Sequence, residues 1–399
     1  MRKALVIAAG LLIFAARAHA QPAPPADPLE SMAFRMGPLG ISPALSITDV
    51  GVDSNIFNES GTPREDFTAT ITPQLTARLR AGRVLLSGFN ATGFVYYLDF
   101  ADERSVNYVV NGRADFDFGR LQPFVAIDVQ DTHERLNQEI DVRAGRLGRT
   151  ASAGLKVLAG PRTAFVASGR WHDFEFDSGE TFEGVSLSNS LNRQVDTYEA
   201  AIEHALTPLT TLSVTAAWQE DRFDQSPDRD ARSFSILPGF TFDPIALVQG
   251  SLAVGYKRFE PESADLPPFS GVVVRTAITY TLLERTRFEF RGTRDVQYSF
   301  ETVEPYYLGS GARLQVTYRL TGPFDLQAAA GRDRLSYRSM DSSLAERVDR
   351  VDLFSAGVGY RLTENARLGL NWEYTRRLSD RADRRYDRRR LVASMLYGL

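Results

Sequence analysis

Cysteine is missing from all 399 residues, histidine occurs four times and tryptophan three times. Without thiols there is no disulfide scaffold, no thiolate metal centre and no cysteine nucleophile. Beyond residue 20 no run reaches the ~18 consecutive apolar residues that a membrane-crossing helix needs. Nor is there an excess of positive charge: 46 lysines and arginines face 50 aspartates and glutamates. That balance disfavours nucleic acid as a partner. No phosphate-cradling glycine loop, HExxH zinc helix or calcium loop occurs, so no cofactor or metal is implied.

The first twenty residues, MRKALVIAAGLLIFAARAHA, combine a basic start (Arg2, Lys3), an apolar core from Ala4 to Ala16, and Ala18-His19-Ala20. This predicts a secretory signal over residues 1–20, cleaved after Ala20. The core is too short to span a bilayer stably as a helix. Removing Arg2, Lys3 and Arg17 takes the net charge from −4 to about −7. Residues 21–38, opening QPAPPADPLE, read as a proline-rich, flexible periplasmic lead-in.

What fills the remainder is alternation. Phe67, Ala69, Ile71, Pro73, Leu75, Ala77 and Leu79 interleave with Thr68, Thr70, Thr72, Gln74, Thr76, Arg78 and Arg80. The same two faces recur in VNYVVNGRADFDF from Val106, ARLQVTYRL from Ala312 and ARLGLNWEYT from Ala366. A period of two is the signature of strand, since a helix would mix these faces. About eighteen such segments follow one another. Very short connections, such as RAGR at 80–83, TPLT at 207–210 and TEN at 363–365, alternate with long polar ones, such as 177–194 and 376–390.

Backbone amides in hydrocarbon must be paired within the protein, so strands cross a bilayer only as a closed barrel. Short turns on one rim and long loops on the other are the asymmetry of an outer-membrane barrel. The expectation for residues 39–399 is an all-β fold: a transmembrane, antiparallel, up-and-down β-barrel of about 18 strands. It would sit in the outer membrane of a Gram-negative cell, with short periplasmic turns and long extracellular loops. Apolar faces would meet lipid and lipopolysaccharide, and polar faces would line water. Pro73 removes one ladder donor, which predicts a local bulge there.

The aromatics fit two interface girdles. Tyr280, Tyr318, Tyr360 and Tyr397 recur in Tyr-x-Leu elements at the periplasmic ends of strands, where a ring can sit in acyl chains and its hydroxyl among headgroups. Trp171, Trp218 and Trp372 lie on rising strands, where the opposite girdle falls. On the inward register, Arg287, Glu289, Arg291, Arg313, Arg319, Arg367, Glu373 and Arg377 are candidate pore-lining residues. The bland alternative for each is a solvated face or a cross-strand pair. The loop from Arg376 to Arg390 carries eight arginines against three aspartates and is a candidate for lipopolysaccharide phosphates or an acidic polymer.

Catalytic residues are not evident. His172 and Asp173 in WHDFEF are strand neighbours, so they point to opposite faces and cannot act as a pair. His204 lies near a short turn on a lipid-facing register, and His133 near an outer loop. The sequence therefore reads as no enzyme.

GISPALSITDVGVDSNIFNES, residues 40–60, with ITPQL at 71–75, resembles the first strands of an outer-membrane β-barrel porin family. Members carry a tyrosine-aspartate-asparagine version of the stretch in which Gly51-Val52 here replaces the aromatic. The family is often associated with exopolysaccharide secretion loci. The resemblance therefore implies a conduit for exopolysaccharide export, with polysaccharide or export components as partners. The alternating end, Leu391, Ala393, Met395, Tyr397 and Leu399, resembles the C-terminal strand that barrel assembly machinery reads. Two other readings stand beside export: a general or substrate-selective diffusion porin for small solutes, and a structural or adhesion barrel with an occluded lumen.

Overall fold

The computed structural model describes residues 28–243, 246–340 and 346–398. The signal expected over 1–20, the start of the lead-in and Leu399 lie outside them. Eighteen long strands run in chain order. They begin with β1 (Leu39–Asp53), β2 (Asp66–Ala81), β3 (Val84–Tyr97), β4 (Ser105–Phe116), β5 (Leu121–Arg135) and β6 (Arg143–Leu158). Next come β7 (Thr163–Phe176), β8 (Arg193–Thr207), β9 (Thr210–Phe223), β10 (Ala231–Phe242), β11 (Val248–Pro261) and β12 (Phe269–Leu282). The last six are β13 (Thr286–Tyr298), β14 (Tyr306–Arg319), β15 (Phe324–Arg338), β16 (Val348–Thr363), β17 (Ala366–Leu378) and β18 (Tyr386–Tyr397).

Each strand pairs antiparallel with its chain neighbours, and β1 also pairs with β18, so the ladder closes on itself. Closure leaves no strand edge and satisfies the backbone without water, the condition for crossing lipid. Among the described residues no helix is long and apolar enough to cross a membrane. Eight short connections gather at one rim and nine longer ones at the other.

The alternation sorts as its chemistry demands. On β2, Phe67, Ile71 and Leu75 are exposed on the outer surface while Thr68 is buried toward the inside. Exposed Ile127, Tyr198, Tyr256 and Val272 continue this apolar band around the outside. In water so large a band would drive association; in a bilayer it is the solvated surface. Trp171, Trp218 and Trp372 stand exposed on outer faces toward the long-loop rim, and Tyr318, Tyr360 and Tyr397 toward the short-turn rim. Neighbouring rings lean on them: Tyr280 on Phe288 at 6.2 Å, Phe324 on Tyr360 at 5.1 Å, and Trp372 on Tyr374 at 6.2 Å.

Two local expectations change. Pro73 interrupts pairing toward β3 but does not shift it: Ile71 pairs with Phe94 and Gln74 with Ala91 on one register. The bulge lies instead on β1, where both flanking ladders slip and Asp49 takes a φ of 57°. Just beyond it Gly51 comes so close to β18 that a Cβ there would lie 1.9 Å from the Leu391 carbonyl oxygen. The departure at Gly51 thus has a steric cause: no aromatic fits at this seam.

The second change concerns the lead-in. Its described part is folded: Leu29 is buried, Phe34–Met36 pairs with Leu39–Ile41, and Ala33 donates to Ser42 Oγ at 2.9 Å. Arg78 Nη1 on the inner face of β2 donates to the Pro28 carbonyl at 2.7 Å. Leu29 and Met32 rest where a Gly40 side chain would be. Apolar side chains within the proline-rich stretch supply this anchor, which composition alone conceals.

Candidate functional site

The bore is the concave feature of this molecule, and its wall is written by the inward register. Arg287, Glu289 and Arg291 on β13 face Thr317, Gln315 and Arg313 on β14. Toward the short-turn rim a cavity of about 590 Å³ is lined by Arg287, Glu289, Arg319 and Arg367, with Asp325 and Gln327. Within it Arg287 Nε lies 2.8 Å from Glu289, and Arg367 Nη2 lies 2.6 Å from Asp325. A smaller space of about 150 Å³ sits between Glu289, Arg291, Arg313 and Gln315. Glu373 pairs with Arg390 at 3.0 Å. Arg377, the eighth candidate, differs from the others: its side chain is fully buried.

Arg377 is buried because the outer end of the bore is filled. The connection between β5 and β6 folds inward, and its Ile140 is wholly buried with Phe174, Phe176, Leu187, Leu191 and Phe300. Leu187 and Leu191 belong to a one-turn helix, α1 (Leu187–Leu191), in the connection between β7 and β8. Phe300 is at the tip of the β13–β14 hairpin. On an 18-strand ring these connections start from nearly opposite walls, so their contact spans the lumen. The apolar residues have water and lipid on neither side and bury one another, as a small core must.

Around this core runs a lattice of charge. Arg377 Nη1 lies 3.0 Å from Asp141, and its Nη2 lies 2.6 Å from Asp349 and 3.4 Å from Glu139. Arg384 meets Glu139 at 3.5 Å and Glu183 at 3.0 Å. Arg347 meets Glu301, Glu304 and Asp349 at 2.9, 3.1 and 2.8 Å. Glu139 also accepts from Ser299 Oγ at 2.8 Å and from the Tyr337 hydroxyl. The guanidinium of Arg229 donates to the carbonyls of Ser299 at 2.6 Å and Ser190 at 3.3 Å, and to those of Phe300 and Glu301.

Burial leaves its mark on the loop groups. Asp141 is raised from its ordinary value by burial, against the pull of Arg384 and Arg377. Glu304 is raised for the same reason, against Arg347. Arg229 is drawn down to about 10 by burial. Each charge is therefore held by geometry rather than by water, which makes the assembly exacting about its partners.

The arginine-rich run from 376 to 390 is mostly turned inward. Arg377, Arg381 and Arg384 enter the lattice, Arg388 holds Asp53 at 2.9 Å, and Arg390 holds Glu373. Arg376, Arg385 and Arg389 remain exposed. Asp53, in the family-like stretch, is 1% exposed and also accepts from Asn55 N. Asn55 in turn donates to the carbonyls of Glu59 and Asp387. That stretch is thus a clasp across the seam between β1 and β18. His172 faces the lumen, 2.8 Å from Thr150 Oγ1, whereas Asp173 faces outward to Arg149 at 2.9 Å.

Alternation does not single out Glu139, Asp141, Glu183, Glu301, Tyr337, Arg347, Asp349 or Arg384. The signal for an inward-folded cap lies in the loops: Ile140, Leu187, Leu191 and Phe300 are apolar residues in connections that an extracellular surface would keep polar.

A family model described as "Putative beta-barrel porin 2" matches residues 27–397. No curated protein matches the chain. Among solved structures, OccK2 (OpdF) of Pseudomonas aeruginosa in complex with glucuronate is similar at 13% identity, over 90% of this chain and 98% of that one, with a TM-score of 0.50. A BenF-like porin of Pseudomonas fluorescens Pf-5 is similar at 10% identity over 90% and 99% of the chains, TM-score 0.49. OpdK of Pseudomonas aeruginosa follows at 10% identity over 89% and 98%, TM-score 0.49.

Proposed function

Since the chain belongs to this beta-barrel porin family, and is thereby an outer-membrane β-barrel porin, we propose that it is a substrate-selective diffusion channel for small solutes. The observation that carries this reading is the inward-folded cap. It leaves spaces of molecular size, about 240 Å³ directly beneath the β5–β6 connection and about 590 Å³ near the short-turn rim. Volumes of that order suit single small molecules. A polymer threading the bore would have to displace Ile140, Phe300 and the Arg377 lattice together.

The wall suits the task. An 18-strand barrel is wide enough for an aqueous path. Paired charges such as Arg287–Glu289 and Arg367–Asp325 solvate that path while staying fixed in direction. OccK2, alike in fold, is described in complex with glucuronate, a solute of the size these spaces admit.

Reconstitution decides the matter. Purified full-length protein in planar bilayers should give discrete conductance steps, and liposomes should swell in small sugars and sugar acids. Deletion of the gene should leave surface polysaccharide intact. Lost polymer with little conductance would replace this reading by export, and neither effect would replace it by a structural barrel.

A further inference from the structure

Arg291 and Arg313 are direct cross-strand partners, both on the inward register of β13 and β14. Like charges placed opposite each other on a ladder repel. Several other lumen cations have a carboxylate partner: Arg287 has Glu289, Arg367 has Asp325, Lys257 has Asp295. Among the described residues, no carboxylate stands within ion-pair distance of Arg291 or Arg313, and the acidic neighbour that attracts Arg313, Asp333 on β15, does so from beyond that distance. Arg275 on β12 is inward too, pairing with Thr293, one rung above Arg291, and it also lacks a carboxylate partner. Three guanidinium groups on three consecutive strands thus share one stretch of wall.

The surroundings keep them open. Arg291 pairs with Ala277 on its other side, and Arg313 with Gly331, whose missing side chain leaves room for the arginine stem at 3.2 Å. Gln315 and Glu289 border the same space of about 150 Å³. Immediately above, Thr293 and Gly311 line the cavity that Asn137 and Gln138 of the cap roof over. Anything that slips past the cap meets this cluster next.

Resting on the channel reading, we propose that Arg291, Arg313 and Arg275 form an anion site. It would make the channel selective for small oxyanionic solutes, foremost hydroxylated carboxylates. Guanidinium forks are always charged and fit carboxylate or phosphate oxygens two at a time. The amide of Gln315 and the carboxylate of Glu289 accept from solute hydroxyls, which favours a sugar acid over a bare inorganic ion. An arriving oxyanion completes the counter-charge that Glu289, already paired with Arg287, and the more distant Asp333 leave partial.

The test uses full-length protein in planar bilayers under a KCl gradient, with liposome swelling in glucuronate, phosphate and glucose. Chloride should pass in preference to potassium, and glucuronate should outrun glucose. Phosphate matching glucuronate would support the shared oxyanion chemistry, and glucuronate outrunning phosphate would support carboxylates in particular. In Arg291→Gln/Arg313→Gln the reversal potential should move toward zero with unit conductance retained. Arg313→Glu should carry it toward cation preference. Both variants must keep the heat-dependent gel mobility of a folded barrel. Cation preference in the unaltered protein, or unchanged selectivity in the double variant, overturns the site and leaves the channel standing. Silence of both the unaltered protein and a cap-loosened Glu139→Ala overturns the channel and the site together.

Discussion

Replacing Glu139 by alanine is the sharpest probe of the cap. The side chain is fully buried and bridges the β5–β6 connection to the far wall through Tyr337 and to the β13–β14 tip through Ser299. It also faces Arg377 and Arg384. Removing one member of a buried ion pair costs about 3–5 kcal/mol. Here Arg377 keeps Asp141 and Asp349, and Arg384 keeps Glu183, so about 3 kcal/mol is the fitting value. At 1.4 kcal/mol per tenfold, the undocked population of the connection rises roughly 100-fold. None of the barrel ladder passes through Glu139, so barrel melting should not move. Single-channel recording reads the change as a larger share of time in the high-conductance state. Glu139→Gln, which keeps one carbonyl acceptor for Ser299 or Tyr337 but gives up the charge, should fall between the two. A folded Glu139→Ala protein with the conductance and dwell times of the unaltered one would refute the view that this connection narrows the bore.

Gly51→Ala should fail to close the seam, because its Cβ would enter the Leu391 carbonyl at 1.9 Å; Gly82→Ala, in an open turn at φ +61°, should cost only about 1 kcal/mol of backbone strain. The fraction showing heat-dependent gel mobility distinguishes them. Ile140→Ala should loosen the cap by about 2–4 kcal/mol through the cavity it leaves, read as faster hydrogen exchange at the β5–β6 connection with the barrel amides unchanged. Asp141, facing Arg384, Arg377, Arg135 and Glu139, and Glu304, facing Arg347, Glu301 and Glu139, are both raised from their ordinary values by burial. A carboxyl raised by folding takes up a proton on docking, so its contribution is complete below the ordinary value and is lost as pH rises through the raised one. Cap protection, corrected for intrinsic exchange, should therefore decline as pH rises from about 4 toward neutrality, and a rise over that range would contradict the assignment.

The barrel was legible because lipid imposes one rule on every strand. Phe67, Ile71 and Leu75 must face outward and Thr68 inward, and a single residue of slip would reverse them all. Strand starts at Asp66, Ser105, Leu121, Thr163, Thr210, Tyr306, Phe324, Ala366 and Tyr386 are fixed by that rule. The cap obeys no such period. Arg377 reads as one more inward arginine until Glu139, more than two hundred residues away, is placed beside it. Likewise the run of arginines from 376 to 390 reads as a cationic surface, and only the return of Glu183, Glu301 and Asp53 to its side shows where those charges go. Long-range pairing across a closed ring leaves no local trace in sequence.

Leu29 and Met32 rest against the inner face at Gly40, with Arg78 gripping Pro28, so the polypeptide approaches its first strand from inside the tube and not along the rim. An affinity tag or a fused protein placed shortly before Pro28 would be delivered into the periplasmic doorway. Such a fusion would throttle solute flow by bulk alone, and trimming it with a protease would restore the flow.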